Sequence, residues 1–208
     1  MKILKPLNLK LAINMKNIFK SLLFIFIINL TNTINAQTNV VPRGGGYVYQ
    51  DLPAGTYIKD INNTFTNFLG TWKWQDGNKI LIFKIEKVSE YYHPEFDVYE
   101  DFMIGNYSYT EDNGATYLVN TILQNIGIQN PELVPLYTSG PINDYEIKFA
   151  FTDVLLNKIY CNANFKFLPN SFTQLSLKLL NQTRGYMYPE PTPPVGFSIP
   201  NNVVLIKQ

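Results

Sequence analysis

Residues 67–78 read NFLGTWKWQDGN, and from Phe68 onward the chain alternates apolar and polar residues with a period of two. That period predicts a strand over Thr71–Gln75, a hairpin turn at Asp76-Gly77, and a return strand over Lys79–Lys87. A two-residue turn at that place pairs Trp74 with Lys79 and Trp72 with Leu81. Residues facing one another across an antiparallel pair share a sheet face. Trp72, Trp74, Leu81, Phe83 and Ile85 therefore take one side, and Thr71, Lys73, Gln75, Lys84 and Glu86 take the other. A slip of one residue would move Lys73 among Leu81, Phe83 and Ile85, so the register is strongly specified. Ile80 and Ile82 are the two exceptions on the polar side.

Working outward, a second hairpin is expected at Asn113-Gly114, between strands near Phe102–Tyr109 and Thr116–Leu123. The connection from Asn125 to Pro141 carries Pro131, Pro135 and Pro141 and reads as a long loop or one short helical turn. Three cleaner strands follow. Tyr145, Ile147, Phe149 and Phe151 alternate with polar or small residues, as do Cys161, Ala163, Phe165 and Phe167, and then Leu175, Leu177 and Leu179. One apolar and one wet face is the pattern of antiparallel sheets. A proline-rich connection (Pro189, Pro191, Pro193, Pro194) leads to a last strand at Val203–Lys207. After the first 36 residues no window of helical length carries an i, i+3, i+4 apolar stripe. The expectation is all-β: one antiparallel domain of about eight to nine strands over residues 65–208. A closed barrel and a β-sandwich both fit the alternation.

The beginning of the chain has a different character. Lys16 and Lys20 precede the apolar run Leu22-Leu23-Phe24-Ile25-Phe26-Ile27-Ile28, and Ile34-Asn35-Ala36 follows. A basic region, a short apolar run and a small residue make a secretory signal peptide. Residues 1–36 are expected to be that leader, cut after Ala36, with Met15 as its start. The run is well short of the roughly 20 residues that span a bilayer, so no transmembrane anchor is expected after cleavage. Gln37 stands where a lipoprotein needs a cysteine. Residues 37–64, with Gly44-Gly45-Gly46, Pro42, Pro53 and Gly55, read as an extended segment leading onto the domain. The abundance of Asn, Ile, Tyr, Phe and Lys suggests A/T-rich bacterial coding. The destination expected is periplasmic, outer-envelope or extracellular.

Composition excludes several chemistries. The 17 basic residues less the five leader lysines leave 12 against 16 acidic residues, a net charge of about −4. Nucleic acid is not an expected partner, because phosphate binding needs clustered Lys and Arg. Cys161 is the only cysteine, so no internal disulfide forms, and a small buried apolar role is expected for it. His93 is the only histidine. It reads as an ordinary residue of the loop EYYHPEFDVYED, with no Gly-x-Ser-x-Gly elbow elsewhere. The glycine triplet lacks the strand and helix of a phosphate cradle. The acids Glu90, Glu95, Asp97, Glu100 and Asp101 lack calcium-loop spacing and read as a solvated face. The tyrosines 91, 92, 99, 107 and 109 read as strand formers and half-buried packing, with stacking on a sugar or an apolar ligand as the other use. No catalytic residue, metal site or cofactor is expected.

Phe68-Leu69-Gly70-Thr71-Trp72-Lys73 resembles the first-strand motif of the calycins, the lipocalins and fatty-acid-binding proteins. The resemblance implies that Trp72 packs across the closed end of a barrel and that Gly70 provides backbone room. It implies a structural role for Gly70, Thr71, Trp72, Trp74, Asp76 and Gly77. Calycins also place an Arg on the last strand over that Trp, where this chain offers Lys207. An immediate turn at Asp76-Gly77, in place of a helical lid, is similar to a lipocalin meander. The segments TYIKDINNTFTNFLGTWKWQDGNKILIFKI, YEDFMIGNYSY and FSIPNNVVLIKQ resemble a family of small exported bacterial proteins known only as a domain of unknown function. Two roles follow as expectations. One is a non-enzymatic carrier of a small apolar or amphipathic ligand, entering from the end opposite Trp72. The other is a structural or interaction protein of the cell envelope whose barrel is filled by its own side chains. An eight-stranded barrel is just wide enough for either.

Overall fold

The structure is a computed structural model that describes Lys20 and residues 39–123, 133–181 and 195–208. The chain divides into two units, Met1–Asn39 and Val40–Gln208, and the architecture below is that of the second. The leader, the proline-rich connection at 189–194 and the first part of the expected 125–141 loop lie outside the described residues.

The opening hairpin is formed by β3 (Gly70–Asp76) and β4 (Lys79–His93). Asp76 pairs with Lys79, Trp74 with Leu81 and Trp72 with Phe83. The two turn residues are thus Gly77 and Asn78, one position later than expected, and each tryptophan pairs two residues further along. Gly77 has φ 54°, which the first position of a type II′ turn demands and glycine supplies without strain. A shift of two preserves side-chain parity, so every face assignment survives. Trp72, Leu81, Phe83 and Ile85 are buried, and Trp74 is half-buried against the same core.

The meander continues through β5 (Val98–Thr110), β7 (Leu136–Ile142), β8 (Glu146–Asp153), β9 (Lys158–Phe167), β10 (Gln174–Asn181) and β11 (Val203–Lys207). Each of these eight strands is antiparallel to its neighbours in sequence, apart from the two-residue β6 (Val119–Asn120), which pairs with β5. The ring closes twice. Lys207 of β11 pairs with Trp72 of β3, and Leu136 of β7 pairs with Gly105 of β5. The result is a closed eight-stranded antiparallel barrel rather than a sandwich. At the second closure a β-carbon on Gly105 would lie 3.3 Å from the Leu136 Cβ, so glycine lets the strands meet.

β7 occupies the end of the connection read as a loop. Pro135 and Pro141 hid it, and the pairing of β7 with β8 is irregular between Thr138 and Ile142. The Asn113-Gly114 turn exists, with both residues at positive φ, but its return strand shrinks to β6. Tyr145 is exposed and precedes β8, whereas Ile147, Phe149 and Phe151 point inward as expected. The segment 37–64 is not merely an extended lead-in. It carries β1 (Val40–Pro42) and β2 (Thr56–Lys59), which add to the sheet in parallel, β2 on the first residues of β5.

Aromatic side chains meet across the interior. β4 and β9 stand on opposite sides of the ring, four strands apart, yet the rings of Phe83 and Phe165 meet edge-on at 5.3 Å between centroids. Phe165 also meets Phe149 at 5.3 Å, and Tyr107 meets Phe151 at 5.5 Å. T-shaped and tilted contacts at these distances are favourable aromatic geometry, with no layer left between them. Cys161 is buried in the same core, and burial raises its thiol pKa.

Candidate interaction site

Described residues pack against the core at both ends of the barrel. At the Trp72 end, a single 3-10 turn over Thr64–Asn67 brings Phe65 and Phe68 beneath the ring, and Phe68 meets Phe167 at 4.7 Å. The Trp72 indole N–H donates to the Phe68 carbonyl at 2.8 Å, so the one polar atom of the side chain is satisfied. Lys207 takes the place of the calycin arginine. Its ammonium lies 5.2 Å from the Trp72 ring centroid and donates to the Asn67 carbonyl at 2.9 Å. Burial lowers its pKa. Gly70 has φ 113°, while a β-carbon there would meet only the Lys207 Cε at 3.5 Å. The position therefore requires glycine for its backbone conformation and not for room. Gly70→Ala should cost about 1–3 kcal/mol, read from chemical denaturation.

At the opposite end, where the resemblance puts a ligand entrance, residues 195–202 form a plug. Phe197 packs against Phe151 at 6.2 Å, and Ile199 is buried. The plug is bolted by polar contacts. Asp153 accepts the Ser198 backbone N–H at 2.6 Å and the Ser198 hydroxyl. Lys158, opposite Asp153 at the base of the β8–β9 hairpin, donates to the Gly196 carbonyl at 2.7 Å and sits over the Phe197 ring. Asn201 bridges the Leu179 backbone in both directions. The Tyr107 hydroxyl, deep below, accepts the Val154 N–H at 2.9 Å.

The remaining candidate lies where β4 and β5 run past the barrel as a ribbon, with β2 paired to the outer edge of β5. The stretch EYYHPEFDVYED, read as a loop, is mostly strand: β4 extends to His93 and β5 begins at Val98. A register shift between Val88 and Tyr91 hid the alternation, with Glu90 at φ 55° in the bulge. A bulge of this kind twists the ribbon and re-aims the residues beyond it.

Two buried polar clusters brace this ribbon, one on each face. On one face Glu100 receives the Arg43 guanidinium, the Tyr49 hydroxyl at 2.8 Å and the His93 Nε2 at 2.9 Å. Tyr49 comes from a 3-10 turn at Tyr49–Asp51 and stacks on His93 at 5.5 Å. On the other face Asp101 accepts the Tyr57 hydroxyl at 2.6 Å, the Lys87 ammonium at 2.9 Å, and the backbone N–H groups of Asp60 and Glu90. Asp60 in turn accepts the N–H groups of Thr64 and Phe65, the free donors of the turn beneath Trp72. Lys87, between the two carboxylates, ties the barrel floor to the ribbon.

Burial alone would raise the Asp101 carboxyl, but the hydrogen bonds from Lys87, Tyr57 and the backbone outweigh it, leaving the pKa below the ordinary value. A depressed carboxylate contributes stability that is present above its unfolded pKa of about 3.9 and lost as pH falls through the folded value. Acid below about pH 4 should therefore loosen the ribbon. Lys87→Met keeps the apolar stem but leaves Asp60 and Asp101 together without their cation. The loss should be about 2–3 kcal/mol, less than for a fully buried pair because Lys87 is partly exposed. Chemical denaturation at neutral pH reads it, with the deficit shrinking in acid as the Asp101 carboxylate protonates.

Of the residues with an expected structural role, Gly70, Thr71, Trp72 and Trp74 come together at the first strand, while Asp76 and Gly77 lie exposed at the far hairpin. The Arg43, Tyr49, Asp60 and Lys87 contacts were not foreseen. Each joins residues 14 to 57 positions apart in sequence, and a lone Arg43 inside the expected extended segment gave no sign of its partner. Among the described residues, no group of three or more His, Cys, Asp or Glu is placed to hold a metal ion. No described helix is long and apolar enough to cross a membrane.

A family model matches residues 15–208, nearly the whole chain, and its description is a family of unknown function (DUF6705). The chain belongs to this family. Among curated proteins and solved structures, none matches it. The family carries no activity to transfer, so the reading of function rests on the barrel and its ribbon.

Proposed function

We propose that this is an exported, non-enzymatic interaction domain of the bacterial envelope, a filled barrel that serves as a rigid mount for the β4–β5 ribbon. The observation that carries the proposal is the Phe83–Phe165 contact across the full width of the barrel. A small-molecule site needs about 300 Å³ or more, and rings in contact at mid-barrel with both ends stoppered are a poor start for one. That favours the interaction reading over the carrier. The ribbon supports it further. Buried ion pairs are weak devices for stability because desolvation offsets their attraction, and departures from simple apolar packing concentrate at functional places. Here they hold one projection of the sheet in a fixed pose.

The test is a titration of the purified domain with a fluorescent fatty-acid analogue. No saturable binding is expected, and one-to-one saturable binding would reinstate the carrier. The export part rests on the leader and is tested by mass spectrometry of the mature N-terminus. A start at Gln37 is expected, and an intact Met1 or Met15 in the membrane fraction would overturn it.

A further inference from the structure

We propose that the ribbon docks a cationic partner, a lysine- or arginine-bearing segment of another protein, on the face that carries Tyr92 and Tyr99. This rests on the interaction-domain reading and names the chemistry of its partner. Tyr57, Tyr99 and Tyr92 are register neighbours on β2, β5 and β4 and form a row across the sheet. The Tyr92 and Tyr99 rings lie 5.0 Å apart, and both are exposed, at 42% and 37%. The third ring of the row already carries a cation, with the Lys59 ammonium 5.5 Å from the Tyr57 centroid. Ammonium and guanidinium groups are attracted to such faces.

The charge around the pair has the complementary sign. Glu100 and Asp101, the two buried acids of this stretch, are compensated by Arg43 and Lys87. Glu90, Glu95 and Asp97 are exposed and form no ion pair among the described residues. Asp97 accepts the Tyr92 hydroxyl at 3.1 Å, which fixes one carboxylate at the edge of the rings. Asp97 and Glu90 both have positive φ, at 49° and 55°. An aromatic pair with the Asp97 carboxylate fixed at its edge, in a stretch that also carries the exposed Glu90 and Glu95, on a ribbon braced by two buried clusters, suits a basic side chain with its stem on the rings and its head against Asp97. A polyanion is repelled by the same acids, and a bare apolar partner leaves them desolvated and unpaired.

The experiment titrates the full mature domain at low ionic strength with an amidated hexalysine peptide, with hexaglutamate as the control, followed by backbone amide NMR shifts. The expected result is hexalysine binding that moves residues 90–99 and is absent for hexaglutamate. The double variant Tyr92→Leu, Tyr99→Leu should weaken it about tenfold, since two exposed cation–π contacts are removed. Glu95→Gln with Asp97→Asn should weaken it several-fold, and the unfolding midpoint should stay near the parent's. If the double variant misfolds, Tyr92→Leu alone serves, with a smaller loss. No hexalysine binding, equal binding of hexaglutamate, or binding untouched by loss of the rings would each overturn the proposal, the last by reducing it to diffuse charge attraction. The fatty-acid titration separates the two readings. Saturable binding there removes the filled-mount reading, whereas silence from both probes removes only the cationic partner.

Discussion

Trp72→Ala should lower the unfolding free energy by about 3–5 kcal/mol, among the largest single losses this domain can suffer. Three separate contributions converge on the ring. It is fully buried, so its removal leaves a cavity bounded by Phe68 and Phe167, which neighbouring backbone prevents from collapsing. Its N–H satisfies the Phe68 carbonyl, so that acceptor loses its partner. It is also the surface on which the Lys207 ammonium rests, so a half-buried cation loses its aromatic neighbour at the closure between β11 and β3. For a domain of this size the midpoint should fall by roughly 10 °C or more. Lys207→Met, which keeps the stem, should cost clearly less. A Trp72→Ala midpoint within error of the parent would mean that the tryptophan is presented to a ligand, and the architectural role of the Gly70-Thr71-Trp72 motif would fall.

Phe165→Ala is the second large effect expected, again about 3–5 kcal/mol. Phe165 sits at the crossing point of the interior, touching Phe83 from the far wall and Phe149 from the adjacent strand. It is fully buried, and its neighbours belong to a sheet closed at two seams, so the walls have little freedom to move inward. The void should stay open, dry and lined by aromatic and aliphatic groups. Such voids take up small apolar molecules, whereas filled cores do not. The variant therefore opens a carrier-like cavity where Phe83, Phe149 and Phe165 now meet.

Most of the barrel was legible because its strands bury one face each. Cys161, Ala163, Phe165 and Phe167 on β9, and Leu175, Leu177 and Leu179 on β10, alternate without interruption, and all seven point inward. The β3–β4 faces were readable for the same reason, although the turn sits one residue later. Parity is fixed by which residues are apolar, while the exact turn depends on the backbone conformation that Gly77 adopts. Three features were hidden, each for a physical cause. β7 follows Pro135, contains Pro141 and has a broken register, so it lacks the alternation that marks a strand. β1 and β2 are short, parallel and at an edge, where composition carries little signal. The ribbon carries acids on strand positions, which read as a solvated loop until Arg43 and Lys87 arrive from distant parts of the chain. The burial of Trp72, by contrast, was legible locally, because the ring, the turn that supplies Phe68 and the strand it begins lie within a few residues.

The filled interior is tested most directly by one set of unfolding midpoints: parent and Phe165→Ala, each with and without saturating benzene. The parent should be indifferent to benzene, because the Phe165 ring is already in contact with both Phe83 and Phe149. Phe165→Ala should be several kcal/mol less stable and should recover part of that loss when benzene occupies the void. A parent midpoint that rises with benzene, or a Phe165→Ala variant as stable as the parent, would show that the barrel holds a cavity and would contradict the account.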